Sequence, residues 1–223
     1  MTSNKLLLFV VETVVTCQSD EYYLTHFIKK SGFFALNSWK NTSIQFVYLN
    51  GKTNYKSTEI KKEIVNKWNG FASKNKQLFF VFDYDRDTRK DKKLNQNIIS
   101  YCQSFVIPNE IIWFKKDIEN IFIGHTVKDK DKNNTAIEFY NKGTLEKTKE
   151  KILSLTKHTI FKSSSESNVL SILSNHLKVT TSLSQTIKEC IQTNIEEENK
   201  AKTKLVRKKI VALKRRNKSK KGR

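Results

Sequence analysis

Over the first 115 residues, short unbroken apolar runs alternate with longer stretches whose apolar residues recur at helical spacing. Few architectures accept that order. "LLLFVVE", 6–12, is a buried strand, apolar throughout and β-branched at its end. "SDEYYLTHFIKKSG" follows as a helix, with Ser19 as its cap, Asp20 and Glu21 in the first turn, Lys29 and Lys30 in the last, and Gly32 as its stop. "SIQFVYLNG", 43–51, is a second strand that closes on an Asn-Gly turn signal. Residues 57–70 form a second helix with Ile60, Ile64, Val65 and Trp68 on one stripe and Gly70 at its end. A third strand covers 77–83, and "KKLNQNIISYCQ" is a third helix with weaker caps. A short strand at 104–107 is broken by Pro108, and "EIIWF" is a further short strand. Strands and helices that alternate in this way form an α/β fold: a parallel sheet with helices on both faces. Ligands of such sheets bind in the crevice outside the carboxyl ends of the strands.

Beyond about residue 140 the pattern becomes amphipathic and helical, with Val169, Leu170, Ile172, Leu173 and Leu177 on one stripe. "KDKDKNNT", 128–135, is polar and charged and is expected to be a linker or loop. Three regions follow: a catalytic domain over 1–127, a helical extension over 136–198 and a basic tail over 199–223. The tail holds 13 Lys or Arg and no acid, so most of the formal net charge of +20 lies there and the body is only mildly basic. Such a tail suits sequence-independent contact with phosphates. Its apolar residues are sparse and include no aromatic, which makes a membrane-surface helix the second choice.

Other chemistries are disfavoured. The three cysteines, Cys17, Cys102 and Cys190, form no CxxC pair, which argues against a structural zinc site and fits a reducing compartment. The apolar run at the start ends at Glu12, too short for a signal-peptide core or a membrane span. The expectation is a cytoplasmic protein without a membrane partner. The four histidines show no HxH or HExxH spacing; His26 belongs to a helix, and only His125, near Glu119, stays as a remote candidate. No phosphate-binding loop of the GxxxxGK[ST] type is present.

The chemistry sits in "QLFFVFDYDRDTRKDKK", 77–93, where an apolar strand runs into Asp83, Asp85 and Asp87. Carboxylates two apart at a strand end fan out as the chain turns, and can converge on one hard cation. Mg²⁺ is usually held by one or two carboxylates, with water and substrate phosphate oxygens completing its shell. Glu12 ends the first strand, so it and Asp83 belong to the same rim. The alternative for "DYDRDT" is a solvated loop of mixed charge. A haloacid-dehalogenase phosphatase would need its aspartates after the first strand and would leave Glu12 without a role.

These residues resemble the Toprim (topoisomerase–primase) superfamily, the catalytic domain of topoisomerases, primases, ribosomal-RNA maturases and the OLD-type and RloB-like defence nucleases. "LLLFVVE" and "LFFVFDYDRD" match its glutamate after the first strand and its DxD after the third, over about residues 5–123. Thr13 follows Glu12 where the family commonly has glycine, and the loop before the first helix is longer. The resemblance implies that Asp83 and Asp85, extended by Asp87, hold Mg²⁺ or Mn²⁺, with Glu12 as ligand or general acid/base. Glu119 is a further ligand candidate, and Lys115 a candidate for stabilising charge at the scissile phosphate. No second topoisomerase domain fits in 223 residues. The implied function is a small stand-alone nuclease cutting DNA or RNA, an effector of anti-phage or abortive-infection defence. Nucleic acid is the implied partner, beside an ATPase in some systems, with room for a homo-oligomer. The other function consistent with the sequence is a nucleic-acid-binding accessory protein that keeps the fold and cuts nothing.

Overall fold

The computed structural model describes residues 4–84, 88–143 and 167–180. Four strands form one parallel sheet: β1 (Lys5–Val11), β2 (Thr42–Tyr48), β3 (Lys76–Tyr84) and β4 (Asn109–Lys115), in the spatial order β2-β1-β3-β4. The fold is α/β, with helices on both faces of the sheet, as the alternation predicts.

Side chains of successive strand residues fall on opposite faces, and both faces are apolar. Leu7, Phe9, Val11, Phe79, Val81, Ile112 and Phe114 look to one side, which we call face A. Leu6, Leu8, Val10, Phe80, Phe82 and Trp113 look to the other, face B. This double burial is why β1 and β3 lack the apolar-polar alternation of a one-sided sheet. On face A, Phe9 stacks between Phe46 and Phe79, with ring centroids 5.5 and 5.0 Å away.

The connections place the helices. From β1 the chain passes through α1 (Ser19–Lys29), on face A, and a short α2 (Leu36–Trp39) to β2 on one flank. It returns past β1 through α3 (Thr58–Gly70), on face B, to β3, and continues outward through α4 (Arg89–Gln103), also on face B, to β4. A reversed direction of travel with a change of face is what right-handed crossovers require. The strand order therefore reverses between β1 and β3. That is the switch point at which the flanking loops diverge and leave a crevice at the carboxyl ends of the strands.

One helix cannot cover face A. After β4, α5 (Ile118–Ile123), α6 (Lys132–Lys142) and α7 (Val169–Leu173) complete that layer, and Ala136, Phe139, Val169, Ile172 and Leu177 share one core with β1 and β3. The expected division at 127 is thus not a break in the packing: described parts of the expected extension belong to the core of the sheet. Residues 167–180 are tied to β4 at one end and to the connection between α1 and α2 at the other. The Asn168 carboxamide accepts from Trp113 N–H at 2.8 Å and donates to the Ile111 carbonyl at 2.9 Å, along the outer margin of β4. At the other end Ala35 N–H donates to Lys178 O and Thr180 N–H to Phe33 O. Asn168 is 3% exposed. Asn168→Ala, which strands two buried backbone groups, is expected to lower unfolding free energy by about 2 to 3 kcal/mol in a denaturant titration.

Several local expectations are corrected. Residues 104–107 form a turn: Ser104 and Phe105 N–H close back onto the end of α4, and Val106 is 69% exposed, so the run "SFVI" supplies no strand. The capping residue of α1 is Gln18, and Ser19 is its first, buried residue. The caps of α4 are strong, because Thr88 and Asp91 form a reciprocal capping box. The polar stretch 128–135 is a 3₁₀ turn, Asp129–Asp131, followed by the first turn of α6. Residues 181–223, including the basic tail, lie outside the described residues.

Candidate metal centre

The rim is built outward from Glu12, the residue after β1. Its main chain is fixed by Gly51 N–H, which donates to Glu12 O at 2.8 Å. The Asn-Gly turn after β2 makes that contact through positive φ at both residues, 55° at Asn50 and 110° at Gly51, a conformation Asn tolerates and Gly adopts freely. Glu12 is fixed from the side chain as well: its Oε1 accepts the backbone N–H of Asp83 at 2.7 Å. The structure thus brings Glu12 and Asp83, 71 positions apart, together across the β1/β3 switch point.

A small, shallow cleft opens there, lined by Glu12, Asp20, Asp83, Val81, Phe82, Phe114 and Ile118. Three acidic residues line it beside apolar walls. Burial pushes the Asp83 carboxyl well above the usual carboxylate range, and the charges of Glu12, Asp20 and Glu119 push it further. Burial, then Glu119, raises Asp20 to about 7, against an opposing pull from Thr13. Asp20 is 7% exposed and belongs to the first turn of α1. As a sequence feature it is a helix-dipole residue; the fold turns it into a wall of the cleft. The only signal was its position, an acid opening the helix that leaves the first strand's rim.

Glu119 lies on α5, 2% exposed, and burial raises its pKa while Lys132 opposes the rise. Its neighbour Asp117 is committed to structure: Oδ1 caps α5 by accepting from Asn120 N–H at 2.6 Å, and Oδ2 accepts the Thr126 hydroxyl at 2.7 Å. Lys116 precedes it with φ 71°, a left-handed turn that redirects the chain from β4 into α5.

The expected role of Lys115 is corrected. Alternation along β4 puts Ile112 and Phe114 on face A with Asp83, and assigns Lys115 to face B with Trp113. The lysine on the side of the acids is Lys132, at the start of α6. Burial works to lower its pKa, but Glu119, Asp129 and Asp83 outweigh it and the ammonium is held above its ordinary value. Lys132 Nζ lies 3.4 Å from Asp129. A second lysine, Lys52, donates to the main-chain carbonyl of Asp83 from the face B side. Asp85 and Asp87 lie outside the described residues.

Carboxylate oxygen is the donor type that a hard divalent cation takes. The cleft offers carboxylate oxygens, and burying that much negative charge is costly unless a cation compensates it. Among the described residues no group of three or more His, Cys, Asp or Glu side chains is placed to hold a metal ion. A cation such as Mg²⁺ asks for fewer, one or two carboxylates with water.

Comparison with family models, with curated proteins and with solved structures finds no match. Among the described residues no helix is long and apolar enough to cross a membrane.

Proposed function

We propose that this protein is a Mg²⁺- or Mn²⁺-dependent nuclease of the Toprim type that hydrolyses phosphodiester bonds in DNA or RNA. One observation carries the proposal: the Glu12 carboxylate is hydrogen-bonded to the backbone of Asp83 at the switch point of a parallel sheet, where that resemblance puts its catalytic acids. A role in anti-phage defence and an ATPase partner rest on the same resemblance and belong to the proposal.

Glu12 and Asp83 would hold the cation, with Asp20 facing the same space; the resemblance adds Asp85 as a further ligand. The bound ion supplies charge neutralisation at the phosphate and a water of lowered pKa. The protein's part is positional. The Gly51 and Asp83 N–H groups fix Glu12 at both ends, so its carboxylate has little freedom to lose on binding. Val81, Phe114 and Ile118 exclude water from one wall and strengthen every charge interaction beside it. Lys132, held charged by Glu119 and Asp129, sets a positive charge on the same side for the phosphoryl oxygens.

The test is incubation of the purified chain with mixed DNA and RNA, in Mn²⁺ and in EDTA, with the cut ends mapped and Mn²⁺ binding followed by calorimetry. Heat of binding and Mn²⁺-dependent cuts are expected. Absence of both overturns the proposal. Nucleic-acid binding without either would make the chain an accessory protein.

A further inference from the structure

The carboxyl rim of the sheet is divided in charge along the sheet plane. On the face A side stand Asp20, Glu21, Asp117, Glu119, Asp129 and Asp131, interspersed with Lys128, Lys130 and the committed Lys132. On the face B side the balance is reversed. The 3₁₀ turn Lys52–Lys56 follows β2 and packs Tyr55 into the face B core, against Tyr101 of α4. It carries Lys52 and Lys56 on the face B side of the rim, the side where α4 begins with Arg89 and Lys90. Lys52 lies 5.9 Å from the Trp113 ring centre, and Lys115 follows Trp113 on the same side. The charges of Lys52 and Lys90 both reach Asp91, which places them around one spot.

Among the described residues, the two acids at the starts of α3 and α4 are occupied by caps. Asp91 accepts from the Thr88 N–H and hydroxyl, and Glu59 accepts from the Ser57 hydroxyl. Lys56, Arg89 and Lys90 are all exposed. The amino ends of α3 and α4, 13 and 15 residues long, point to the same quarter and add partial positive charge.

We infer that the face B half of the rim, Lys52, Lys56, Arg89, Lys90 and Lys115, is the track for the phosphodiester backbone of a nucleic-acid strand, which reaches the acidic cleft from the α3/α4 side. The inference deepens the nuclease reading and rests on it for the substrate class. Contacts of this kind are to phosphates, so the track holds a strand without regard to sequence. It separates two tasks that a mixed rim would set against each other. The cation side stays negative, and the polyanion is anchored one strand-width away, where the acids do not repel it. Lys52 marks the seam, since it belongs to the basic quarter and bonds to the main chain of Asp83.

The test uses the full chain, tail included, and a fluorescent single-stranded oligonucleotide in EDTA, with anisotropy read across a salt series. In the variant K56E/R89E/K90E all three exposed cations of the track are reversed and no residue of the cleft is touched. Affinity is expected to fall about tenfold or more, and the slope of log affinity against log salt to decrease by about 2, near 0.7 for each lost phosphate contact on a single strand. A matched variant, K29E/K40E/K74E, reverses three exposed lysines at the opposite edge of the sheet and is expected to change neither quantity. Circular dichroism checks that both triple variants fold; if the track variant does not, single reversals at Arg89 and Lys90 are measured in its place. Equal losses in the two triple variants, or an unchanged slope in the track variant, overturn the inference. Its failure is distinguishable from failure of the nuclease proposal. Mn²⁺-dependent cleavage by K56E/R89E/K90E at the wild-type rate and affinity would reject the track and keep the nuclease. Track-dependent binding by a chain that cuts nothing would keep the track as a binding surface and reject the nuclease.

Discussion

Asp83→Asn is expected to lower Mn²⁺-dependent cleavage by about a thousandfold, ~4 kcal/mol of transition-state stabilisation, without loss of folding. The substitution keeps the shape of the side chain and the backbone N–H that Glu12 accepts, so the β1/β3 contact survives. What it removes is a negative charge in a place that disfavours one: burial and the neighbouring Glu12, Asp20 and Glu119 all oppose ionisation of Asp83. The cation-free variant should therefore melt at the wild-type temperature or above it. Activity and stability then move in different directions, the mark of a residue kept for chemistry. Cleavage rates and thermal melts on the same preparations decide the matter. A variant that still cuts at near the wild-type rate, or that loses activity only because it unfolds, removes Asp83 from the centre.

The second large effect is on stability against pH. An ordinary carboxyl ionises near 4 in the unfolded chain, whereas Asp20 in the fold is raised to about 7, and Asp83 and Glu119 are raised as well. Between those values the folded chain binds more protons than the unfolded one, so stability falls as pH rises. The contribution is whole below about pH 4 and gone above about pH 7, and Asp20 alone accounts for a change on the order of 4 kcal/mol. In EDTA the protein is expected to melt at a lower temperature at pH 8 than at pH 5, and Asp20→Asn to flatten that dependence. Exposed acids such as Asp91 and Glu59, whose caps lower their pKa, act in the opposite sense but are common to both proteins. Mn²⁺ at pH 8 should restore much of the loss in the wild type, because it binds the ionised cluster of the folded chain alone. Parallel pH profiles for wild type and Asp20→Asn would show that Asp20 does not carry this charge.

The parts of the molecule legible in the sequence are those where one physical demand dominates. β1 and β3 are buried on both faces and so appear as continuous apolar runs, and the charge at their ends has to lie on the rim. The Asn-Gly pair announced a left-handed turn, and it proved to hold Glu12. The errors came where local composition and tertiary contacts disagree. "SFVI" looks like a strand, yet Pro108 and the closing turn of α4 leave Val106 in solvent. "KDKDKNNT" looks like a linker, but the Lys132–Asp129 pair opens a helix anchored one and two turns later by Ala136 and Phe139. Lys115 is a candidate through the resemblance alone, and Lys132 is not among the sequence candidates. A single step of strand alternation sends Lys115 to the face opposite the acids. Asp20 escaped notice because a helix's first turn is an ordinary place for an acid, and only the packing of α1 against face A brings it to Asp83.

The side chain of Asn168 occupies the backbone groups of β4 that a neighbouring strand would otherwise engage. Strand addition at that part of the β4 margin would have to displace Asn168. Shortening the chain before Ser167 would uncover the β4 margin and invite aggregation there.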